Sequence, residues 1–108
     1  MGNSFEITVE ELKARLDQGD RPFILDVREP HEYDICHLAD TTLIPMSVIE
    51  SRYSELNPDV EIVVHCRSGA RSARVCHFLM SKGFQNVKNL AGGILAWSDR
   101  IDPTIPKY

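Results

Sequence analysis

The residues best placed to do chemistry are gathered in one short stretch. Cys66 follows the apolar run Ile62-Val63-Val64-His65 and opens the segment Cys66-Arg67-Ser68-Gly69-Ala70-Arg71-Ser72. Three physical effects meet there. Gly69 permits a tight turn that points successive main-chain N–H groups into one concavity, a nest for an anion. A helix starting just after it adds the positive end of its dipole. Arg67 and Arg71 bring guanidinium forks, whose geometry suits oxyanions. A thiol in this setting is predicted to ionise below the ~8.5 of a free cysteine and to be nucleophilic at neutral pH. A thiolate already formed attacks sulfur without a general base. The plainer alternative is a small buried hydrophobe; placement at a strand end, with glycine and two arginines following, favours the nucleophile.

The rest of the composition bounds this reading. The three cysteines, Cys36, Cys66 and Cys76, cannot all pair within one chain, so at least one free thiol is expected. Cys76 follows Ala73 by three and precedes Leu79 by three, which turns it to the core. None of Cys36-His37, His65-Cys66 and Cys76-His77 has the spacing that lets one element chelate, so neither metal nor cofactor is expected. Net charge is −4, which argues against nucleic acid as a general partner. The acidity is unevenly spread. Between Ile62 and Ser98 there is no Asp or Glu, while Arg67, Arg71, Arg74, Lys82 and Lys88 give that segment +5. Cys66 lies inside it.

Element signals explain how such a loop would be positioned. Thr8-Val9-Glu10-Glu11 has capping-box spacing, followed by Val9, Leu12 and Leu16 at helical intervals and by Gly19 as a stop. Phe23 to Val27 reads as a buried strand, and Pro30 opens a short helix. Thr42 to Ile44 is a second strand, and Ser47 is predicted to cap a helix running to Leu56 with Val48, Ile49, Tyr53 and Leu56 inward. Ile62 to Val64 is the clearest strand. A helix then runs from the Ser68–Ala73 region to Lys82-Gly83, a short strand starts at Gln85, and Gly92-Gly93 opens a last helix. Alternating helices and continuous apolar strands predict one α/β domain over residues 1–108. A mainly parallel sheet is flanked by helices on both faces, with its core at about 6–100 and an irregular tail at 101–108. No apolar run approaches the ~18 residues of a membrane span. The start, MGNSFEITVEEL, lacks the order of a secretory signal, which makes the cytoplasm the expected location. A monomer is the default for this size.

Together these pieces resemble the rhodanese family: LDVREPHEY at Leu25–Tyr33, CRSGARS at Cys66–Ser72 and LAGGILAW at Leu90–Trp97, in the family's order and spacing. The resemblance implies a rhodanese-like sandwich in which Cys66 takes a sulfane sulfur from a donor such as thiosulfate. A thiophilic acceptor such as cyanide, a thiol or a protein then receives it. It also implies that the N–H groups of Arg67, Ser68, Gly69, Ala70, Arg71 and Ser72 surround the persulfide, with Arg71 at the mouth. Asp26 and Arg28 fall on the family's Asp-Val-Arg signature, as supports of the loop or as direct contacts. Gly92, Gly93 and Trp97 look like packing positions.

One segment departs from the pattern. Where the family often has Gly-His-Ile-Pro-Gly-Ala, the chain reads Cys36-His37-Leu38-Ala39-Asp40-Thr41, which is expected to alter that connection and raises Cys36 as a resolving cysteine for Cys66. Two rival functions remain open: a cysteine phosphatase and a non-catalytic binding module. Phosphatases related to this fold place an arginine six residues after the cysteine; here Ser72 stands there and Arg71 comes one position early. The end, AWSDRIDPTIPKY, resembles rhodanese domains fused behind adenylating enzymes of the molybdopterin-synthase sulfurylase type. That would make a ubiquitin-like sulfur carrier the acceptor, with adenylation performed elsewhere.

Overall fold

The computed structural model describes residues 5–108, so the first four residues of MGNSFEITVEEL, the stretch read as lacking the order of a secretory signal, lie outside the described residues. Thr8 opens α1 (Val9–Asp17) as a true capping box: its hydroxyl accepts from the Glu11 N–H at 3.0 Å, and the Glu11 carboxylate accepts from the Thr8 N–H at 2.8 Å. Pro30 stands in the first turn of α2 (Pro30–Ile35), where its missing N–H has no intrahelical use. The other helices are α3 (Ile49–Arg52), α4 (Ala70–Ser81) and α5 (Gly93–Arg100).

Among the described residues five strands, β1 (Glu6–Ile7), β2 (Phe23–Asp26), β3 (Thr41–Leu43), β4 (Ile62–His65) and β5 (Val87–Leu90), form one sheet in the order β1-β5-β4-β2-β3. Every pairing is parallel. β4 lies at the centre and is buried along its whole length, which is why its sequence is continuously apolar rather than alternating. Its residues split between two cores. Ile62, Val64 and Cys66 pack with Leu25, Val27 and, from α3 and α4, with Ile49, Val75, Cys76 and Leu79. Val63 packs on the other face with Ile24 and, from α1 and α5, with Leu12, Ile94 and Trp97. The fold is therefore α/β with helices on both faces, as expected. No helix among the described residues is long and apolar enough to cross a membrane.

Three local expectations need correction. The sequence signals did not reveal β1, whose two residues are too few for any periodicity; it exists because Glu6 and Ile7 pair with Asn89 and Leu90. The segment from Ser47 to Leu56 is not one capped helix. It is α3 between two 3₁₀ turns, Met46–Val48 and Tyr53–Glu55, because Val48 (ψ 6°) and Arg52 (ψ −1°) leave the helical region at each junction. Ser47 caps nothing; its hydroxyl bonds Glu29 at 3.3 Å, and Val48 is exposed rather than turned inward. The last strand begins at Val87, two residues after the expected Gln85.

The departing segment Cys36–Thr41 contains one left-handed residue. Asp40 takes φ 58°, left-handed backbone that glycine adopts freely and that aspartate tolerates better than most residues.

Candidate active site

Cys66 sits at the carboxyl end of the central strand, where a parallel α/β sheet presents its loops. Its side chain is 1% exposed, so a reactant must come to the sulfur through the loop's mouth. Gly69, with φ 109°, makes the turn that ends in α4. The Gly69 N–H donates to Sγ at 3.1 Å and the Ser72 N–H at 3.4 Å. Both belong to the start of a helix, where N–H groups have no intrahelical acceptor. The Ser72 hydroxyl lies 3.3 Å from Sγ and 2.5 Å from Asn89 Oδ1. One hydroxyl proton can serve either acceptor, so it can turn from Asn89 to the sulfur when the thiol ionises.

Burial pushes the Cys66 thiol up, but hydrogen bonds from the Ser72 hydroxyl and from the N–H groups of Ser72, Gly69 and Ser68 outweigh it and leave the thiol below its ordinary value. The thiolate is thus stabilised, as expected, though by the loop's own neutral donors ahead of guanidinium charge. Arg67, Ala70 and Arg71 send no main-chain hydrogen bond to the sulfur.

The loop is held from behind by α5. Its N-terminal groups donate to the loop's carbonyls, Ile94 N–H to Cys66 O and Leu95 N–H to Arg67 O, both at 3.0 Å. With those carbonyls engaged on that side, the loop's N–H groups are left facing Sγ. The approach is so close that a Cβ on Gly93 would lie 2.6 Å from Cys66 O and 2.5 Å from Arg67 O. The glycine read as a packing position is the residue that lets the cradle form.

The two arginines are not free at the mouth. Arg71 donates to both oxygens of Glu32, at 2.7 and 2.8 Å, in a bidentate pair. Arg67 donates through Nε and Nη2 to the main-chain carbonyl of Tyr108, the Nε bond being 2.7 Å. Asp26 and Arg28 are fully buried and paired at 2.7 Å. In the alternation of β2 and β4, Asp26 and its register partner His65 fall on the face opposite Cys66. Neither Asp26 nor Arg28 bonds Cys66; Arg28 bonds Asp26, the Glu32 and Cys36 carbonyls and the Tyr108 hydroxyl instead. His65 is buried; its Nδ1 lies 3.4 Å from Cys66 O, and its Nε2, 3.7 Å from Asp26, has no hydrogen-bond partner among the described residues. Burial holds its pKa down, which keeps it neutral.

The resolving-cysteine idea finds no juxtaposition. Cys36 packs against the α1/α5 core, whereas Cys66 belongs to the α3/α4 core. Cys76 shares that second core with Cys66, is fully buried, and has its thiol pushed up to about 12 by burial.

Glu32, Asn89 and Tyr108 went unassigned in the sequence. Glu32 lies within LDVREPHEY, so its motif was visible and only its partner was not. Asn89 and Tyr108 carry no local signal. Glu32 also yields a prediction. Its bonds from Arg71, against the cost of burial and with help from the Glu29 N–H and the Tyr108 hydroxyl, lower its pKa from 4.5 to about 2. A folded-state pKa depressed in this way contributes stability above pH 4.5 that is lost as pH falls towards 2. At ~1.4 kcal/mol per pH unit this is on the order of 3 kcal/mol. Urea midpoints are expected to fall steeply across that window in the parent chain and much less in Glu32→Gln; equal slopes would contradict the assignment.

Known proteins share this sequence pattern and this fold. Residues 8–100 match the rhodanese-like domain family. A sulfurtransferase of Allochromatium vinosum is 41% identical over 86% of this chain and 87% of its own length. A probable adenylyltransferase/sulfurtransferase, MoeZ of Mycobacterium tuberculosis, is 38% identical over 94% of this chain, which spans only 26% of that protein. The crystal structure of a rhodanese-like domain protein from Staphylococcus aureus superposes with a TM-score of 0.82 at 32% identity, covering 89% of this chain and 93% of that one.

Proposed function

This chain belongs to the rhodanese-like family of sulfurtransferases, and from that premise we propose that Cys66 carries the transferred sulfur as a persulfide. The observation that carries the reading is the cradle itself: Sγ fixed by the N–H groups of Gly69 and Ser72 at 3.1 and 3.4 Å. Ala70 and Arg71, the first two residues of α4, add N–H groups without intrahelical acceptors. These are the donors for a second sulfur attached to the first.

With thiosulfate as donor, the Cys66 thiolate attacks the outer sulfur. A new S–S bond forms on Cys66, the donor's S–S bond breaks, and sulfite leaves with the electron pair. A thiophilic acceptor, cyanide or a thiolate, then takes the outer sulfur and returns Cys66 as thiolate. Neither step transfers a proton in the transition state, so the neutral His65 behind the loop has no task in it. The phosphatase reading gains nothing from this geometry, since the residue six after Cys66 is Ser72 and its hydroxyl lies 3.3 Å from Sγ.

Similarity to the M. tuberculosis protein, named for both adenylyl and sulfur transfer, supports a protein acceptor of the ubiquitin-like carrier class. All three cysteines are free thiols, which fits a reducing compartment such as the cytoplasm.

Intact-mass measurement after thiosulfate treatment tests the proposal. The expected result is a gain of one sulfur atom, mapped to the peptide containing Cys66 and discharged by cyanide. No gain, or a gain mapped to Cys36, would sink it. Offering cyanide, a reduced thiol and a ubiquitin-like carrier as competing acceptors then separates general transfer from dedicated delivery.

A further inference from the structure

The tail after α5 has no regular secondary structure, yet it is tied down at successive points. The Ser98 hydroxyl donates to Ile105 O at 2.5 Å, Ile105 packs on the α1/α5 core, and Pro106 O accepts from the Cys36 thiol at 3.7 Å. These anchors deliver Tyr108 to the arginines around Cys66. The Tyr108 hydroxyl accepts from Arg28 at 2.9 Å and donates to Glu32 at 2.9 Å. Its ring lies 5.2 Å from the Arg67 guanidinium and 5.7 Å from that of Arg28, within range of cation–π attraction. Its carbonyl takes two of Arg67's donors.

Both arginines of the loop are therefore committed elsewhere. Arg71 has its charge matched by Glu32, and the same carboxylate is steadied by the Tyr108 hydroxyl. Arg67 has its fork turned along the tail. We infer that Tyr108 is a specificity-determining positioning residue: by holding Arg67, the residue that follows the nucleophile in the chain, against the tail, it denies that guanidinium to an incoming small oxyanion. The substrate class favoured by the seated tail is a sulfur donor without a free oxyanion head, such as a protein-borne or low-molecular-weight persulfide, over thiosulfate. The inference rests on Cys66 as the nucleophile and deepens the proposed function by naming the donor class.

Alkylation tests it without depending on sulfur transfer. Iodoacetate and iodoacetamide form the same bond to sulfur and lose the same iodide, but only the first is an anion. The ratio of their rates at Cys66, followed by peptide mass, reads oxyanion recognition at the mouth and cancels differences in thiolate population. Tyr108→Ala is expected to raise the iodoacetate-to-iodoacetamide ratio about fivefold at low salt, the worth of one exposed ion pair between Arg67 and the reagent. The rise shrinks at high salt. Tyr108→Phe keeps the ring and loses only the hydroxyl that bonds Arg28 and Glu32, preserves the fold, and moves the ratio the same way by less; both variants retain the main-chain oxygen, so the change reads the side chain's anchoring alone. In an Arg67→Ala background, Tyr108→Ala no longer moves it. KM for thiosulfate falls in parallel in Tyr108→Ala while kcat holds. A ratio unmoved in both Tyr108 variants overturns the inference, as does a rise that persists without Arg67. Failure of persulfide formation with an altered alkylation ratio would instead count against the sulfur-transfer reading alone.

Discussion

Gly93→Ala is expected to lower the melting temperature by about 10 °C or more and to slow alkylation of Cys66 in the fraction that stays folded. Two costs add. Gly93 has φ 61°, where a side chain is strained by about 1–3 kcal/mol. Its Cβ would also meet main-chain atoms of Cys66 and Arg67 at 2.5–2.7 Å. Backbone cannot rotate out of the way as a long side chain can, so α5 and the loop must separate, at about another 1–3 kcal/mol for an overpacked site. For a domain of this size each kcal/mol is worth roughly 4 °C. Separation stretches the bonds from Ile94 and Leu95 to the loop carbonyls, and the N–H groups that hold the thiolate lose their aim. Gly92 supplies the control. Its φ is 78°, but an added Cβ meets the Ala96 side chain rather than the loop, so Gly92→Ala destabilises without the same loss of thiolate reactivity. A Gly93→Ala chain with parental melting and alkylation would show that the close approach of α5 does not shape the cradle.

Arg28→Met is expected to cost about 3–5 kcal/mol, the range for removing one partner of a buried ion pair. Arg28 and Asp26 are each fully buried, and all five guanidinium donors are used. Nε and one Nη2 proton go to Asp26, the other Nη2 proton to Cys36 O, and Nη1 to Glu32 O and the Tyr108 hydroxyl. One side chain thus joins the end of β2, the last turn of α2 and the tail. Methionine fills similar volume but leaves the Asp26 carboxylate without its counter-ion and the Cys36 carbonyl without the Arg28 donor, while the Glu32 carbonyl keeps the Cys36 N–H at 3.3 Å. Arg28→Lys is expected to recover less than half of the loss, because an ammonium has three donors on one point and cannot span the three elements. Adding Asp26→Leu to Arg28→Met removes the orphaned charge, so the double variant is expected to be more stable than Arg28→Met alone. Chemical denaturation of these variants and of Asp26→Leu alone checks this; additive losses would mean the pair is not coupled. Against a total stability of roughly 5–15 kcal/mol, the single change brings the chain near its threshold.

The two variants bear on residues that the sequence presented side by side in its motifs, yet with different roles. Asp26 and Arg28 stand in a motif that admits either contact with substrate or support. The strand alternation sets Asp26, with His65, on the face opposite Cys66. Gly93 was legible as a glycine that something needs. What needs it is the carbonyl of Cys66, and that contact crosses between separate elements.

Features governed by neighbours in the chain could be read in advance. The capping box of Thr8 and Glu11, the proline opening α2, the apolar run of β4 and the turn at Gly69 all rest on interactions within a few residues. The order of these elements was enough for a mainly parallel α/β sheet with Cys66 at the end of a strand; that this strand is the central one came from the fold. The sequence singled out the Cys66 sulfur as the candidate nucleophile. It could not determine what surrounds that atom, because those partners are distant: Glu32 lies 39 residues from Arg71, Tyr108 lies 41 from Arg67 and 80 from Arg28. Asn89 lies 17 from Ser72. No periodicity or spacing rule reaches across such distances; only packing the helices on the sheet brings these groups together. The arginine-rich, acid-free segment suggested a positively charged mouth. Tertiary structure decided otherwise by setting Glu32 and Tyr108 against those arginines, and left the thiolate to be stabilised by the loop's hydrogen bonds.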